Sequence, residues 1–161
     1  DPDGVKEVTS QFFTKLQQAY SFFTMYANVD GFEYKEADLE YSERPDFDRW
    51  LLSELNTLIK NVDALLNDYD PTPAGRLIQS FVVDKLSNWY IRLNKPRFWS
   101  GEMTADKLSA YQTLYTCLDT LSRLIAPISP FYADQLFRDL NAVTGKDSSK
   151  SVKEKLKGVF K

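Results

Sequence analysis

The chain has 161 residues, 43% of them hydrophobic and 14% aromatic, which suits one domain with a sizeable apolar core. With no histidine and a single cysteine, Cys117, it holds no zinc-ligand set, no histidine general base, no Ser-His-Asp triad and no internal disulfide framework. The net charge is -3 at pH 7, no apolar run approaches the roughly 20 residues of a membrane span, and no signal peptide is visible, so a reducing, cytoplasmic setting is expected.

The hydrophobic period is helical nearly throughout. Val5, Val8, Phe12, Leu16, Ala19, Phe23 and Tyr26 recur at steps of three and four, which predicts a first helix over 4–27. Residues 28–45 break the pattern: they are acidic, contain Gly31, and are too long for a simple turn, so they should run across the bundle or link two sub-elements. Asp46 or Asp48 then caps a second helix, whose seam is Leu51, Leu55, Leu58, Val62, Leu65 and Tyr69. Pro71-Thr72-Pro73 separates it from a third, with Thr72 as N-cap and Pro73 in the first turn.

The third helix carries Ala74, Leu77, Ile78, Phe81, Val82, Leu86, Trp89, Tyr90 and Leu93, and Pro96 ends it. Thr104 caps a fourth, with Leu108, Tyr111, Leu114, Tyr115, Leu118, Leu121, Ser122 and Ile125 inward, and Pro127 closes that one. A fifth, shorter helix starts at Ser129-Pro130 and buries Ala133, Leu136, Phe137 and Leu140. Residues 146–161 read as a polar, lysine-rich tail, with a marginal helix around Val152 to Leu156 as the alternative. No strand and no internal repeat emerge. The expected fold is all-α: an antiparallel bundle of four to five helices, with 46–142 as a four-helix core inside a domain spanning 4–145.

Charge is distributed unevenly. Residues 30–70 hold twelve acids against four bases, whereas residues 76–99 hold five bases, Arg76, Lys85, Arg92, Lys95 and Arg97, against Asp84 alone. Residues 146–161 hold six lysines against two acids. Such polarity suits a molecule that docks one face onto a polyanion; it equally suits solvated helix faces with a basic tail.

The stretch Ser87-Asn88-Trp89-Tyr90-Ile91-Arg92-Leu93-Asn94-Lys95-Pro96-Arg97-Phe98-Trp99 interleaves these cations with aromatics. Exposed rings offer faces for unpaired bases, and neighbouring cations neutralise phosphates. Trp89 continues the Val82, Leu86, Leu93 stripe, so core packing is its default role. Cations at a helix end also complement its dipole. Phe98 and Trp99 then follow in what should be a solvent-facing turn, where they either cap the bundle end or offer stacking surfaces.

Other chemistry is thinner. The six isolated glycines build neither a phosphate-cradling loop nor a dinucleotide turn. Asp46 and Asp48 fit capping and dipole complementarity better than catalysis. Cys117, among Leu114, Leu118 and Leu121, reads as a buried, inert thiol. No residue is a catalytic candidate.

Several segments together resemble bacterial-type isoleucyl-tRNA synthetases. They are Tyr20-Ser21-Phe22-Phe23-Thr24-Met25-Tyr26-Ala27-Asn28-Val29-Asp30-Gly31-Phe32, Asp48-Arg49-Trp50-Leu51-Leu52-Ser53, Ser87-Asn88-Trp89-Tyr90-Ile91-Arg92, Arg97-Phe98-Trp99, and Ala126-Pro127-Ile128-Ser129-Pro130-Phe131. Their order is similar to the anticodon-binding helical domain that follows the catalytic domain in class I synthetases. Arg92 favours the isoleucyl type, because valyl relatives carry an acidic residue there. The catalytic signatures of the class and its editing domain are absent, so the chain looks like a piece of a longer enzyme and is expected to be inactive alone.

The resemblance implies a parent that ligates isoleucine to its tRNA with ATP, some members also holding zinc, while this piece needs no cofactor or metal. The implied partners are the anticodon stem-loop of isoleucine tRNA and the catalytic and C-terminal domains of the parent chain, with no membrane and no DNA. Arg76, Lys85, Arg92, Lys95 and Arg97 are the expected phosphate contacts, and Trp99, Phe98 and Asn88 the expected base contacts. Two other readings stand beside this one: a valyl-type domain, and a helical scaffold whose recognition lies in a separate C-terminal module. The scaffold reading predicts buried aromatics over 88–99 and no basic groove.

Overall fold

The computed structural model describes the backbone of residues 2–144 and the side chains of 10–142. The expected lysine-rich tail and its marginal helix, together with core positions Val5 and Val8, lie outside the described side chains. Among the described residues there is no strand, and the all-α expectation holds: five helices pack as a bundle. They are α1 (Pro2–Asp30), α2 (Asp46–Asn67), α3 (residues 71–99), α4 (Ala105–Ile125) and α5 (Pro130–Thr144). No helix among the described residues is long and apolar enough to cross a membrane.

Helix α4 is the axis. Most of its residues are buried, including the polar Lys107, Ser109, Gln112, Thr113 and Ser122. It begins where Thr104 accepts a hydrogen bond from the Lys107 amide at 3.2 Å, an N-cap that satisfies one of the helix's unpaired amides. The other helices surround it. The seam Leu51, Leu55, Leu58 and Val62 of α2 is buried, as are Leu16, Ala19, Phe23 and Ala27 of α1 and Ala133, Leu136, Phe137 and Leu140 of α5. Each fully buried Leu or Phe contributes about 1.5–3 kcal/mol through removal of apolar surface from water.

The connection between α1 and α2 is long because the two helices do not adjoin. Helix α1 packs mainly on α3, α4 and α5, while α2 packs on α3 and α4. The strap over residues 31–45 therefore crosses the first half of α4. Gln112 donates to the Ala37 carbonyl at 3.0 Å and accepts from the Leu39 amide at 2.9 Å. Arg44 donates to the Leu39 carbonyl at 3.2 Å and to Thr113 Oγ1 at 3.0 Å. Phe32 stacks on Tyr111 with ring centroids 4.7 Å apart. At the end of α1, Asp30 pairs with the buried Lys107 at 2.7 Å and accepts from the Tyr111 hydroxyl.

Several local expectations are corrected. Helix α2 starts at Asp46 with Pro45 as its N-cap, so neither Asp46 nor Asp48 caps it, although both lie in the first turn where acids suit the dipole. It ends at Asn67; Tyr69 takes a left-handed φ of 58° and is exposed rather than part of the seam. Helix α3 starts at Pro71 with Asp70 as N-cap, so Thr72 is already helical. It does not end at Pro96, which sits inside its last segment, Arg92–Trp99.

The middle of α3, Phe81–Ile91, winds as a π-helix. Hydrogen bonds from i to i+5 underwind the coil. Buried positions accordingly fall at Phe81 and Val82, then Leu86, then Tyr90 and Ile91, in steps of four and five. A stripe extrapolated at the α-helical period misses this. Trp89 and Leu93, expected inside, are each 53% exposed, and Leu77 is also at the surface.

Candidate nucleic-acid interface

The basic-aromatic stretch 87–99 divides into an inward and an outward set. On the inward side, Asp48 is completely buried and accepts four hydrogen bonds. They come from the Tyr90 hydroxyl at 2.7 Å, Ser109 Oγ at 2.5 Å, and Arg97 Nη1 and Nη2 at 2.6 and 2.8 Å. Arg97 also donates from Nε to Asp106 at 2.9 Å and from Nη2 to the Asp106 carbonyl at 2.8 Å. Burial opposes the guanidinium charge, but the hydrogen bonds to Asp48, the charges of Tyr90 and Asp48 and the hydrogen bond to Asp106 together outweigh it and raise the Arg97 pKa above its ordinary value. Burial, reinforced by the Asp48 charge, holds the Tyr90 phenol well above the usual tyrosine range.

Two of the expected RNA contacts are thus held within the fold. Every donor nitrogen of Arg97 is committed within the fold, so this residue is an internal ion-pair partner rather than a free phosphate contact. Phe98 is only 2% exposed, in ring contact with Phe22, Tyr26 and Tyr111 at 5.1, 6.0 and 5.0 Å, so it offers no stacking face. Lys85 is ion-paired with Glu54. Arg76 is exposed on the first segment of α3, distant in sequence from the rest of the set.

On the outward side, Asn88, Arg92, Lys95 and Trp99 are exposed, Trp99 by 61%. Asn88, Arg92 and Lys95 line one side of a cleft of about 360 Å³ between α3 and α1. Ser87 and Ile91 complete that wall, and Lys15, Gln18, Ala19 and Phe22 of α1 form the other. The lining holds three cations and no carboxylate. None of Lys15, Arg92 and Lys95 is ion-paired among the described residues, unlike Arg97, Lys85 and Lys107. The cleft thus concentrates positive potential in a chain that is acidic overall.

Lys15 and Gln18 escaped the sequence reading. They lie on a helix whose apolar stripe dominates its pattern, and only the pairing of α1 with α3 places them beside Arg92. Cys117 is buried in α4, and burial pushes its thiol pKa up, away from nucleophilic character.

Residues 48–157 match the family described as the anticodon-binding domain of tRNA ligase. The chain is 64% identical over 152 residues to an isoleucine–tRNA ligase of Bacteroides thetaiotaomicron. It is 61% identical over 149 residues to that of Porphyromonas gingivalis, and 57% over 150 residues to that of Cytophaga hutchinsonii. These alignments cover 94%, 92% and 93% of this chain but only 13%, 13% and 14% of the relatives, so the chain spans a small part of their length.

Proposed function

Because the chain belongs to the anticodon-binding domain family of tRNA ligases, we propose that it holds the anticodon stem-loop of isoleucine tRNA within a cytoplasmic isoleucine–tRNA ligase. The parent would join isoleucine to that tRNA with ATP, in a catalytic domain this chain does not contain. The role of this domain is to fix the far end of the tRNA, so that the acceptor end meets the active site. Zinc, where relatives of this type carry it, would belong to the parent's other domains.

The observation that carries the reading is the carboxylate-free cleft of Lys15, Arg92 and Lys95. Phosphate contacts set the position of an RNA, and polar and stacking contacts to bases specify it. Asn88 and Gln18 supply amides beside the cations, and Trp99 supplies an exposed ring at the end of α3. Arg76 lies outside this group and would add at most a peripheral phosphate contact. A scaffold without a recognition role would need no such groove and would bury the aromatics over 88–99; Tyr90 and Phe98 are buried, but Trp89 and Trp99 are exposed.

The test is a titration of the chain with isoleucine tRNA and with an anticodon-swapped version at several salt concentrations. A preference for the native anticodon supports base readout within this domain. Equal binding that fades with salt limits the domain to phosphate positioning. No binding at low salt by a folded sample rejects the proposal.

A further inference from the structure

We propose that the end of the bundle carrying Tyr69, Ile128 and Phe131 is a docking face for the part of the parent ligase that precedes α1. This rests on the reading of the chain as one domain of a longer isoleucine–tRNA ligase, and it is independent of the α1–α3 cleft.

The face is built by two turns, one over 68–70 between α2 and α3, the other over 126–129 between α4 and α5. The second turn reaches the start of α3, where Ile128 Cδ1 lies 3.7 Å from the place a Cβ on Gly75 would take. Tyr69 and Phe131 are each 92% exposed, and Ile128 is 46% exposed. Large apolar side chains gathered at one end of a bundle mark an interaction surface, whereas single ones need no explanation. Phe131 also closes the stretch Ala126-Pro127-Ile128-Ser129-Pro130-Phe131, which carries part of the family resemblance and takes no part in the cleft.

The backbone at Tyr69 points the same way. Its φ is 58°, and its amide and that of Asp70 close the end of α2 onto the carbonyls of Leu66 and Leu65 at 3.1 and 2.9 Å. Glycine usually fills this left-handed position, because a Cβ crowds the backbone there. A tyrosine accepts that strain without gaining any packing inside the domain, so its ring is displayed for a contact outside it.

The course of α1 names the occupant. Phe13 packs edge-on against Tyr132, in the first turn of α5, with ring centroids 4.5 Å apart. Helix α1 continues from there towards Pro2 for about three more turns. The matched relatives are far longer, this chain covering 13% of the Bacteroides thetaiotaomicron ligase. In a parent of that length, preceding chain enters the domain at the end where Tyr69 and Phe131 stand. RNA suits this face poorly, since the exposed Asp68 and Asp70 flank Tyr69 and repel phosphate.

The test uses the full-length ligase that contains this chain. Hydroxyl-radical footprinting without tRNA should oxidise Tyr69 and Phe131 about tenfold more slowly in the ligase than in the separate chain, as side chains in a docked core lose contact with water. A ligase carrying Phe131→p-benzoylphenylalanine should, on irradiation, cross-link within the same molecule to a segment N-terminal to α1. Equal oxidation in chain and ligase would leave the face bare in the parent and overturn the inference. So would a cross-link to a segment following α5, to a second copy, or to tRNA alone. Both readouts are taken without RNA binding, so they can succeed where the tRNA titration fails, and their failure leaves the RNA-binding reading intact.

Discussion

Arg97 and Asp48, 49 positions apart, form a two-pronged ion pair in which Nη1 and Nη2 of one meet Oδ1 and Oδ2 of the other at 2.6 and 2.8 Å. Removing one partner of a buried pair strands the other charge, at a cost of about 3–5 kcal/mol. Arg97→Ala should lose stability on that scale in urea unfolding. Adding Asp48→Asn should recover part of it, because a neutral amide does not need the cation. Equal losses in the single and double variants would show that the pair is not the source.

This hub also explains which sequence signals were readable. Asp48, Tyr90 and Arg97 each belong to a separate segment of the family resemblance, and the three meet at one carboxylate. Segments that carry the resemblance thus build an internal lock. Sequence spacing showed where helices lie, since apolar residues repeat along α1, α2, α4 and α5 at the expected step. It could not show that Arg97 is consumed by a residue on another helix, or that Lys15 stands across from Arg92. Nor could an α-helical period anticipate the π-segment that turns Trp89 outward. Pairing, unlike periodicity, is decided by long-range packing.

Adjacent aromatics at the end of α3 should behave oppositely. Phe98→Ala opens a cavity among Phe22, Tyr26 and Tyr111 and should cost about 3–5 kcal/mol. Trp99→Ala removes an exposed ring and should stay within about 0.5 kcal/mol of the parent chain. Thermal melts of the two variants check the contrast; a large loss for Trp99→Ala would mean that the ring is packed.

Alkaline pH should unfold the domain earlier than a chain with ordinary tyrosines. Burial raises the pKa of Tyr90, assisted by Asp48, and that of Tyr111, assisted by Asp30. A raised folded-state pKa means that the unfolded chain loses its proton first. This contribution to stability is complete below the ordinary tyrosine value of about 10 and is lost as pH rises above it. Melting temperature should fall steeply above about pH 10, and Tyr90→Phe should flatten that fall. The same substitution should cost about 1–3 kcal/mol at neutral pH, because Asp48 loses a donor.

The strap over residues 31–45 should loosen when Gln112→Ala removes its bonds to Ala37 and Leu39. Limited trypsin digestion should then cut at Lys35 faster than in the unaltered chain, with a loss of about 1–3 kcal/mol in global stability. Unchanged cleavage would show that Arg44 and the Phe32–Tyr111 stack hold the strap without Gln112.

The proposed RNA contact rests on a division of cations: among the described residues Lys15, Arg92 and Lys95 form no ion pair, whereas Arg97 is committed to Asp48 and Asp106. Its most direct measurement is the salt dependence of tRNA binding by the triple variant Lys15→Gln/Arg92→Gln/Lys95→Gln. The account predicts an unchanged melting temperature and a log–log salt slope shallower by about two to three. An undiminished slope in the folded triple variant would contradict it and place the RNA on another face of the bundle.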